Sequence, residues 1–240
     1  MQSAFYVSLS AQLSIDKRME TIANNIANAT TAGYRANGVS FESVVAKTGA
    51  EPVAYASAGR DFISRTAGDM QRTGDPFDVA VVGKAFFAIR TPDGVAYTRD
   101  GRMKMTETGD LQTVGGYPIL DAGNSPVVLD PTGGPPMISR DGMINQNGRQ
   151  IGALGLFMID NDAKLTRGPG ASVIPDKPAT AALDFVRNGV EQGVVEAANV
   201  NPVREMVKLI AASRAFDSVS SMNDLLDGSQ RDAIRTLGGG

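Results

Sequence analysis

Cysteine, histidine and tryptophan are missing from the 240-residue sequence. Without thiolate and imidazole ligands, the usual zinc, copper, haem and iron–sulfur sites cannot form. The same absences exclude Ser-His-Asp and Cys-His catalysis and remove the commonest general base near neutral pH. Only carboxylate, lysine, tyrosine or hydroxyl chemistry remains. We expect no metal and no cofactor, and, given the turn placement of the acidic residues described below, no catalytic residue.

Charge of one sign and long apolar runs are also scarce. Charged residues make up 20% of the chain and the formal net charge is −3. No basic stripe indicates a nucleic-acid partner. No apolar run approaches the roughly 18 residues that indicate a membrane span. Residues 1–17 lack a basic region, an apolar region and a small-residue cleavage site, so we expect no cleavable signal peptide.

Glycine and proline divide the chain into three parts. Both are absent from residues 1–28 and 203–227 but frequent in 33–195. This predicts an α+β fold, with long N- and C-terminal helices forming a coiled-coil-like domain and a central, mostly antiparallel β-domain. The predicted domains are a terminal helical domain of 1–35 plus 200–240, an extended connector region of 36–75 plus 180–199, and an outer β-domain of 76–179.

The first helix is predicted from apolar residues at spacings of three and four. We expect it to end near Asn28, with Gly33 in the left-handed conformation. A seam at spacings of 4, 3 and 4 is typical of a coiled coil, and three more apolar residues continue it upstream. The residues of this face are Phe5, Leu9, Leu13, Ile15, Met19, Ile22 and Ile26.

The last helix has a clear start signal. Asn201 is a predicted N-cap, Pro202 the first helical residue and Gly228 the predicted stop. Either helix alone fits packing on its own domain, whereas the two together favour an antiparallel or intermolecular coiled coil. The predicted apolar face is Met206, Leu209, Ala212, Phe216, Val219, Met222 and Leu226.

The middle of the chain is predicted to form short strands. Asp-Gly at 141–142 and Asn-Gly at 147–148 are hairpin signals. Residues 102–106 alternate between polar residues and methionine, as a half-buried antiparallel strand does. We expect one long strand over 148–160, and an extended or partly disordered connector over 43–58. The whole is predicted to be sandwich-like or barrel-like.

Acidic residues offer weak alternatives to a structural role. The segment 160–164 begins like a calcium loop but lacks the later ligand and the turn glycine. A carboxylate hydrolase is disfavoured because nearly all of its candidate residues lie beside Gly or Pro in predicted turns, where Asp is common for backbone reasons. Those candidates are Asp69, Asp75, Asp78, Asp93, Asp100 and Asp110.

Three asparagines stand within five residues at the end of the first helix. Residues 22–34 here read Ile-Ala-Asn-Asn-Ile-Ala-Asn-Ala-Thr-Thr-Ala-Gly-Tyr, and this segment resembles the N-terminal signature of the flagellar axial proteins, the rod, hook and hook-associated subunits. Residues 77–87 with 97–101 are similar to the β-domain of rod and hook subunits, and 199–216 to the family's C-terminal helix. The motif residues are Asn24, Asn25, Ala27, Asn28, Gly33 and Tyr34.

The resemblance implies a structural subunit that polymerises through its terminal helices. The start and length look most like a proximal-rod subunit, and a distal-rod subunit is the near rival. It implies self-assembly with other flagellar rod proteins in the periplasmic part of the basal body. It also implies delivery by the flagellar type III export apparatus, with no nucleic acid and no small-molecule substrate. A secreted polymer-binding β-module is the alternative from another class, which a content of 6% aromatic residues disfavours.

Overall fold

A long helix stands at each end of the chain, with short strands between. The computed structural model describes residues 2–46, 53–57 and 59–238. Helix α1 spans Gln2–Ala27 and helix α2 spans Pro202–Gly238. The chain forms two compact units: a helical unit of Met1–Ala27, Asn37–Phe62 and Asn201–Gly240, and a β-unit of Asn28–Ala36 and Ile63–Val200. The predicted α+β class with terminal helices and central antiparallel strands is confirmed.

The helix ends follow local chemistry. Asn201 Oδ1 accepts a hydrogen bond from the Arg204 backbone N at 3.0 Å, which confirms the predicted N-cap. Gly33 has φ +67°, as predicted. The predicted stop at Gly228 is wrong, because α2 continues for a total of 37 residues, against 26 in α1. One glycine costs a helix only about 1 kcal/mol, and the residues after it are compatible with helix.

The helical unit also contains two pairs of short strands. The two helices pack against each other, and α1 also contacts β1 and β3. Strand β1 pairs with β4, and β2 pairs antiparallel with β3. Residues 47–52 and 58 of the predicted connector lie outside the described residues. The bounds are β1 Asn37–Ser40, β2 Ser43–Ala46, β3 Val53–Ala56 and β4 Arg60–Ile63.

The first strands of the β-unit pair with its last ones. Strand β5 pairs with β19 and β6 with β18, while β9 pairs with β10. A three-stranded sheet has the order β11-β12-β13, and a six-stranded antiparallel sheet has the order β15-β16-β8-β7-β14-β17. The bounds are β5 Met70–Arg72, β6 Val79–Val82, β7 Phe86–Thr91, β8 Gly94–Thr98, β9 Met103–Met105, β10 Leu111–Thr113, β11 Met137–Ile138, β12 Met143–Gln146, β13 Arg149–Ala153, β14 Leu156–Met158, β15 Leu165–Arg167, β16 Val173–Pro175, β17 Thr180–Ala181, β18 Gly189–Gln192 and β19 Val194–Glu196.

Paired strands therefore occur within both segments predicted as connector, β1–β5 in one and β17–β19 in the other. The three-part domain division itself stays a prediction. The hairpin at 147–148 is confirmed by φ +50° at Asn147 and +73° at Gly148, between β12 and β13.

The predicted long strand over 148–160 is wrong, since it forms β13 and β14 in two different sheets. The interruption lies at Gly155, where a Cβ atom would stand 2.5 Å from the Asp121 carbonyl carbon. A single straight strand cannot make this close approach while also pairing in both sheets.

Strand β7 lies between two apolar clusters. Phe87 and Ile89 belong to the larger cluster, with Leu111 and Ile144, whereas Phe86 and Ala88 belong to the smaller. This alternation is the two-residue period of a strand buried on both faces. In the described part of the chain, neither helix carries an apolar stretch long enough to cross a membrane.

Candidate functional site

The predicted apolar face of α1 is divided between a packed row and exposed positions. Ile22 is buried, and Ile15, Met19 and Ile26 are half-buried. Leu13, in contrast, is 63% exposed, and Leu9 is also exposed. The packed row continues upstream through Ala11 and Ser8 at the same spacings of three and four. Leu9 and Leu13 lie off this row, and the side chain of Phe5 is outside the described residues.

Helix α2 has a packed row of six residues at heptad spacing. Four of the predicted positions lie in this row. Ala212 is buried, and Leu209, Phe216 and Val219 are half-buried. Glu205 and Asn223 extend this row at spacings of 4, 3, 4, 3 and 4, although both are polar. The predicted Met206 is instead 51% exposed, and the side chain of Leu226 is outside the described residues.

The N-terminal third of α2 exposes a group of apolar side chains. Val203 is 70% exposed and Val207 is 62% exposed, and Ile210 and Met206 lie beside them on the helix. We call these four residues the exposed α2 patch. Contiguous exposed apolar side chains on a helix commonly mark an interaction site.

Polar contacts connect the two helices or lie within one of them. Asn223 Nδ2 of α2 donates to Gln12 Oε1 of α1 at 3.4 Å, so the packed row of α2 meets α1 at this position. Glu205 pairs with Lys208 on its own helix at 2.5 Å. The row of α2 thus contains small and polar residues among its apolar ones, which limits the apolar area buried by the pair.

Asn25 of the predicted motif is a buried amide with a specific partner. Its Oδ1 accepts from the Asn37 backbone N at 2.8 Å, and its Nδ2 donates to the Asn37 backbone O at 2.9 Å. The side chain therefore imitates a strand partner for Asn37. Asn24 and Ala27 are exposed on the same turn. This geometry gives one of the three asparagines a specific structural role.

The rest of the predicted motif forms a tight turn in the β-unit. The Thr31 backbone N donates to Asn28 O at 3.0 Å, and the Tyr34 backbone N donates to Thr31 O at 3.2 Å. A Cβ atom on Gly33 would lie 2.1 Å from Asp100 N, so only glycine fits. Tyr34 is buried, and the Arg167 guanidinium carbon lies 4.4 Å from its ring centroid.

Beside this turn lies a buried charge cluster that sequence reasoning missed. Arg35 Nη2 lies 2.8 Å from Glu196 Oε1, and Arg99 Nε lies 2.9 Å from Glu196 Oε2. The Gly68 backbone N also donates to Glu196 Oε1, at 2.9 Å. At most 3% of any of these three charged side chains is exposed. We call Arg35, Arg99 and Glu196 the Glu196 cluster.

The Glu196 cluster holds two cations for one anion. Arg99 Nη2 donates to Gly83 O at 2.7 Å, which satisfies part of its charge with a backbone dipole. Burial lowers the pKa of Arg99 to about 10, against the opposite effect of Glu196. Burial likewise lowers the pKa of Arg35. Both remain cationic at neutral pH, so Glu196 has to balance two guanidinium groups.

Near the Glu196 cluster, the side-chain amide of Asn199 links the turn after α1 to residue 66. Its Oδ1 accepts from the Ala36 backbone N at 2.6 Å, and its Nδ2 donates to Thr66 O at 2.7 Å. Its own backbone N donates to Tyr34 O at 3.2 Å. Sequence signals for this site existed only in part: Tyr34, Arg99 and Asn199 each lie in a quoted motif, whereas nothing distinguished Glu196.

The carboxylates weighed for catalysis include several with backbone roles. Asp75 Oδ1 accepts from the Phe77 backbone N at 2.9 Å, and Asp100 Oδ1 from the Arg102 backbone N at 3.1 Å. These are the turn interactions that favour Asp locally. Over the residues that the structure describes, no group of three or more acidic side chains is arranged to hold a metal ion.

Comparison with family models gives three matches in chain order. Residues 5–35 match the model described as flagella basal body rod protein. Residues 80–146 match the D1 domain of flagellar hook protein FlgE/F/G, and 191–235 match the C-terminal region of flagellar basal body rod FlgEFG protein. The first match contains the asparagine motif and Arg35, the second contains Arg99, and the third contains Glu196.

Whole-length relatives agree with these matches. The chain is 43% identical over 238 residues to the flagellar basal-body rod protein FlgF of Mesorhizobium japonicum, covering 99% of both chains. It is 44% identical over 239 residues to FlgF of Rhizobium meliloti, covering 100% of this chain and 99% of the relative. It is 27% identical to the rod protein FlgG of Bacillus subtilis, covering 92% and 94%. The chain therefore belongs to the flagellar basal-body rod protein family, FlgF type, as a structural subunit of the proximal rod.

Proposed function

We propose that this rod subunit polymerises through the faces of α1 and α2 that its own helix pair leaves exposed. The observation that carries this proposal is the exposed α2 patch, in which Val203 is 70% exposed and Val207 is 62% exposed. Burying such side chains against a neighbour contributes about 25 cal/mol for each Å² of apolar surface removed from water. Repetition of the same contact along a polymer multiplies that gain.

The packed rows have a different role in this proposal. Ile22 and Ala212 are buried in the single chain, so they stabilise the subunit before any neighbour is present. Ile15, Met19, Leu209, Phe216 and Val219 are half-buried and can bury more area in a coiled-coil-like assembly. The exposed Leu9, Leu13 and Met206 belong to the contacts between subunits.

Polar positions in the helix pair suit a protein that is a monomer before assembly. Asn223 and Gln12 meet at 3.4 Å where a strong hydrophobic seam would have apolar residues. A weakly apolar seam between the helices reduces self-association of the subunit outside the rod. The helices then become fully ordered only when they pack against neighbouring subunits. The partners are other proximal and distal rod proteins. Delivery is by the flagellar type III export apparatus.

The test compares two variants, each of which adds one carboxylate to α2 at a different position. Val207→Glu places a charge in the exposed α2 patch, whereas Ser218→Glu places it at an exposed polar position beyond the patch. Both variants are introduced into a strain that lacks the gene, and swimming and subunit content of purified basal bodies are measured. We expect Val207→Glu to abolish incorporation and Ser218→Glu to restore swimming.

The folded state of each purified variant is checked by circular dichroism and thermal unfolding. Because Val207 is exposed in the single chain, its substitution is expected to leave the unfolding temperature unchanged. Full rescue of swimming by Val207→Glu would remove the exposed α2 patch from the assembly interface. Complete basal bodies and normal swimming in the strain without the gene would contradict the rod function itself.

A further inference from the structure

Two chain segments that adjoin the helices are fastened to each other inside the β-unit. Residues 28–36 follow α1 and residues 196–200 precede α2. The Gly33 backbone N donates to Glu196 O at 2.7 Å, and Arg35 Nη2 lies 2.8 Å from Glu196 Oε1. Ala36 N and Asn199 Oδ1 add a bond of 2.6 Å. Glu196 thus binds the first segment with both its backbone and its side chain.

We propose that Glu196 is a positioning residue for the helix pair. It holds the segment that follows α1 against the segment that precedes α2. This inference rests on the proposed assembly role of that pair. The two helices are far apart in sequence but pack against each other. A short tether between two partners raises their local concentration, and each doubling of a flexible tether lowers it by about threefold.

Charge explains why Glu196, rather than its partners, has this role. It is 1% exposed and lies between Arg35 and Arg99, which are also buried. Removing its charge leaves two buried guanidinium groups facing each other, and their repulsion pushes apart the segments that carry them. Removing Arg35 leaves Glu196 in contact with Arg99 and with Gly68 N.

The first measurement uses the absence of cysteine from the chain. Gln12→Cys with Asn223→Cys places two thiols where the side chains now meet at 3.4 Å. Oxidised glutathione is added to the purified full-length chain, one thiol forms a mixed disulfide with it, and the second thiol then displaces glutathione. The rate of this intramolecular displacement reports helix pairing. We expect Glu196→Gln to lower this rate by about threefold or more. Arg35→Lys, which keeps the charge, is expected to retain the parent rate.

The matched control separates positioning from general destabilisation. Ile144 is fully buried in the β-unit core, and Ile144→Val or Ile144→Ala is chosen to lower the unfolding temperature as much as Glu196→Gln does. We expect the control to keep the parent disulfide rate. Equal rates in the control and in Glu196→Gln would overturn the inference. Should Glu196→Gln fail to fold, Arg35→Gln replaces it, with a smaller decrease expected and an unchanged rate overturning the inference.

A second measurement distinguishes this inference from the proposed function. The same variants, without the added cysteines, are tested for incorporation into basal bodies. A slower disulfide with lost incorporation in Glu196→Gln, but not in the Ile144 control, supports both proposals. A slower disulfide with full incorporation supports the positioning role and contradicts the need for the helix pair in assembly.

Discussion

Arg35 Nη2 and Glu196 Oε1 form an ion pair of 2.8 Å in which 3% and 1% of the two side chains are exposed. The pair is unequal, because Glu196 also lies 2.9 Å from Arg99 and accepts from Gly68 N. A buried ion pair is weak evidence for stability by itself, whereas breaking one leaves an uncompensated charge. The identity of the residue removed should therefore decide the size of the effect.

The first prediction compares Glu196→Ala with Arg35→Ala. Glu196→Ala leaves two buried cations without their anion, and we expect a loss of about 3–5 kcal/mol in the free energy of unfolding. Arg35→Ala leaves Glu196 paired with Arg99, so a smaller loss is expected. Urea unfolding of the purified chain, followed by circular dichroism, measures both. Equal losses would mean that Glu196 does not serve the two arginines together.

The second prediction concerns the turn after α1. Gly33 has φ +67°, and a Cβ atom there would lie 2.1 Å from Asp100 N, which is a backbone atom and cannot move aside easily. Gly33→Ala should therefore cost clearly more than the roughly 1–2 kcal/mol of left-handed backbone strain alone. Gly74 supplies the control, because its φ is +75° and no atom of the described residues lies within 4 Å of an added Cβ.

Urea unfolding of Gly33→Ala and Gly74→Ala isolates the steric part of the cost, since the backbone strain is shared. We expect Gly74→Ala to lose no more than the strain. If both variants lost the same free energy, the close contact between Gly33 and Asp100 would be absent in solution.

The third prediction separates two neighbouring asparagines. Asn25 exchanges two hydrogen bonds with the Asn37 backbone, at 2.8 and 2.9 Å, whereas Asn24 is exposed. Asn25→Ala should cost about 2 kcal/mol because it removes the partners of a backbone donor and a backbone acceptor. Asn24→Ala leaves both of these bonds to Asn37 in place, so we expect it to cost clearly less than Asn25→Ala.

Asn25→Asp refines this test. The aspartate carboxylate can accept a hydrogen bond from Asn37 N, but it cannot donate one to Asn37 O and repels that oxygen. We expect its stability to be no better than that of Asn25→Ala at neutral pH. Thermal unfolding of the three variants is sufficient. A stable Asn25→Asp chain would show that the Asn37 carbonyl is not held by residue 25.

Sequence reasoning succeeded where structure depends on nearby residues. The spacing of Ile15, Met19, Ile22 and Ile26 follows from helix geometry alone, and Asn201 caps α2 through a bond to Arg204 three residues on. It failed where distant segments decide the outcome. The break at Gly155 depends on the Asp121 backbone. No periodicity brings together the members of the Glu196 cluster, because strand pairing across the whole β-unit places them.

The division of the helix faces shows the same limit. Periodicity groups Leu9 and Leu13 with the apolar residues of α1, but it cannot say which side meets α2. In the structure Ser8 is buried in the packed row while Leu13 is 63% exposed. Only the packing of both helices shows which apolar residues stabilise the single chain. It also shows which of them stay exposed and are available for contacts with neighbouring subunits.

The last prediction is a pH dependence that arises from Tyr34. Burial raises the pKa of the Tyr34 hydroxyl above its ordinary value of 10.0, and the nearby Arg167 charge lowers it by less. The folded chain therefore keeps a proton that the unfolded chain releases above about pH 10. This contribution to stability is fully present below pH 10 and is lost as the pH rises towards the folded pKa, by less than about 1.4 kcal/mol for each pH unit.

Urea midpoints of the parent chain and of Tyr34→Phe at pH 6, 8 and 10.5 test this sign. Phenylalanine has no proton to release, so the decrease between pH 8 and 10.5 should be smaller in the variant. Between pH 6 and 8 the two midpoints should run parallel, since the tyrosine is neutral in both states there, and this interval serves as the internal control. A decrease above pH 8 as steep in Tyr34→Phe as in the parent would assign the alkaline loss of stability to other groups, Tyr97 among them, whose pKa is also raised by burial.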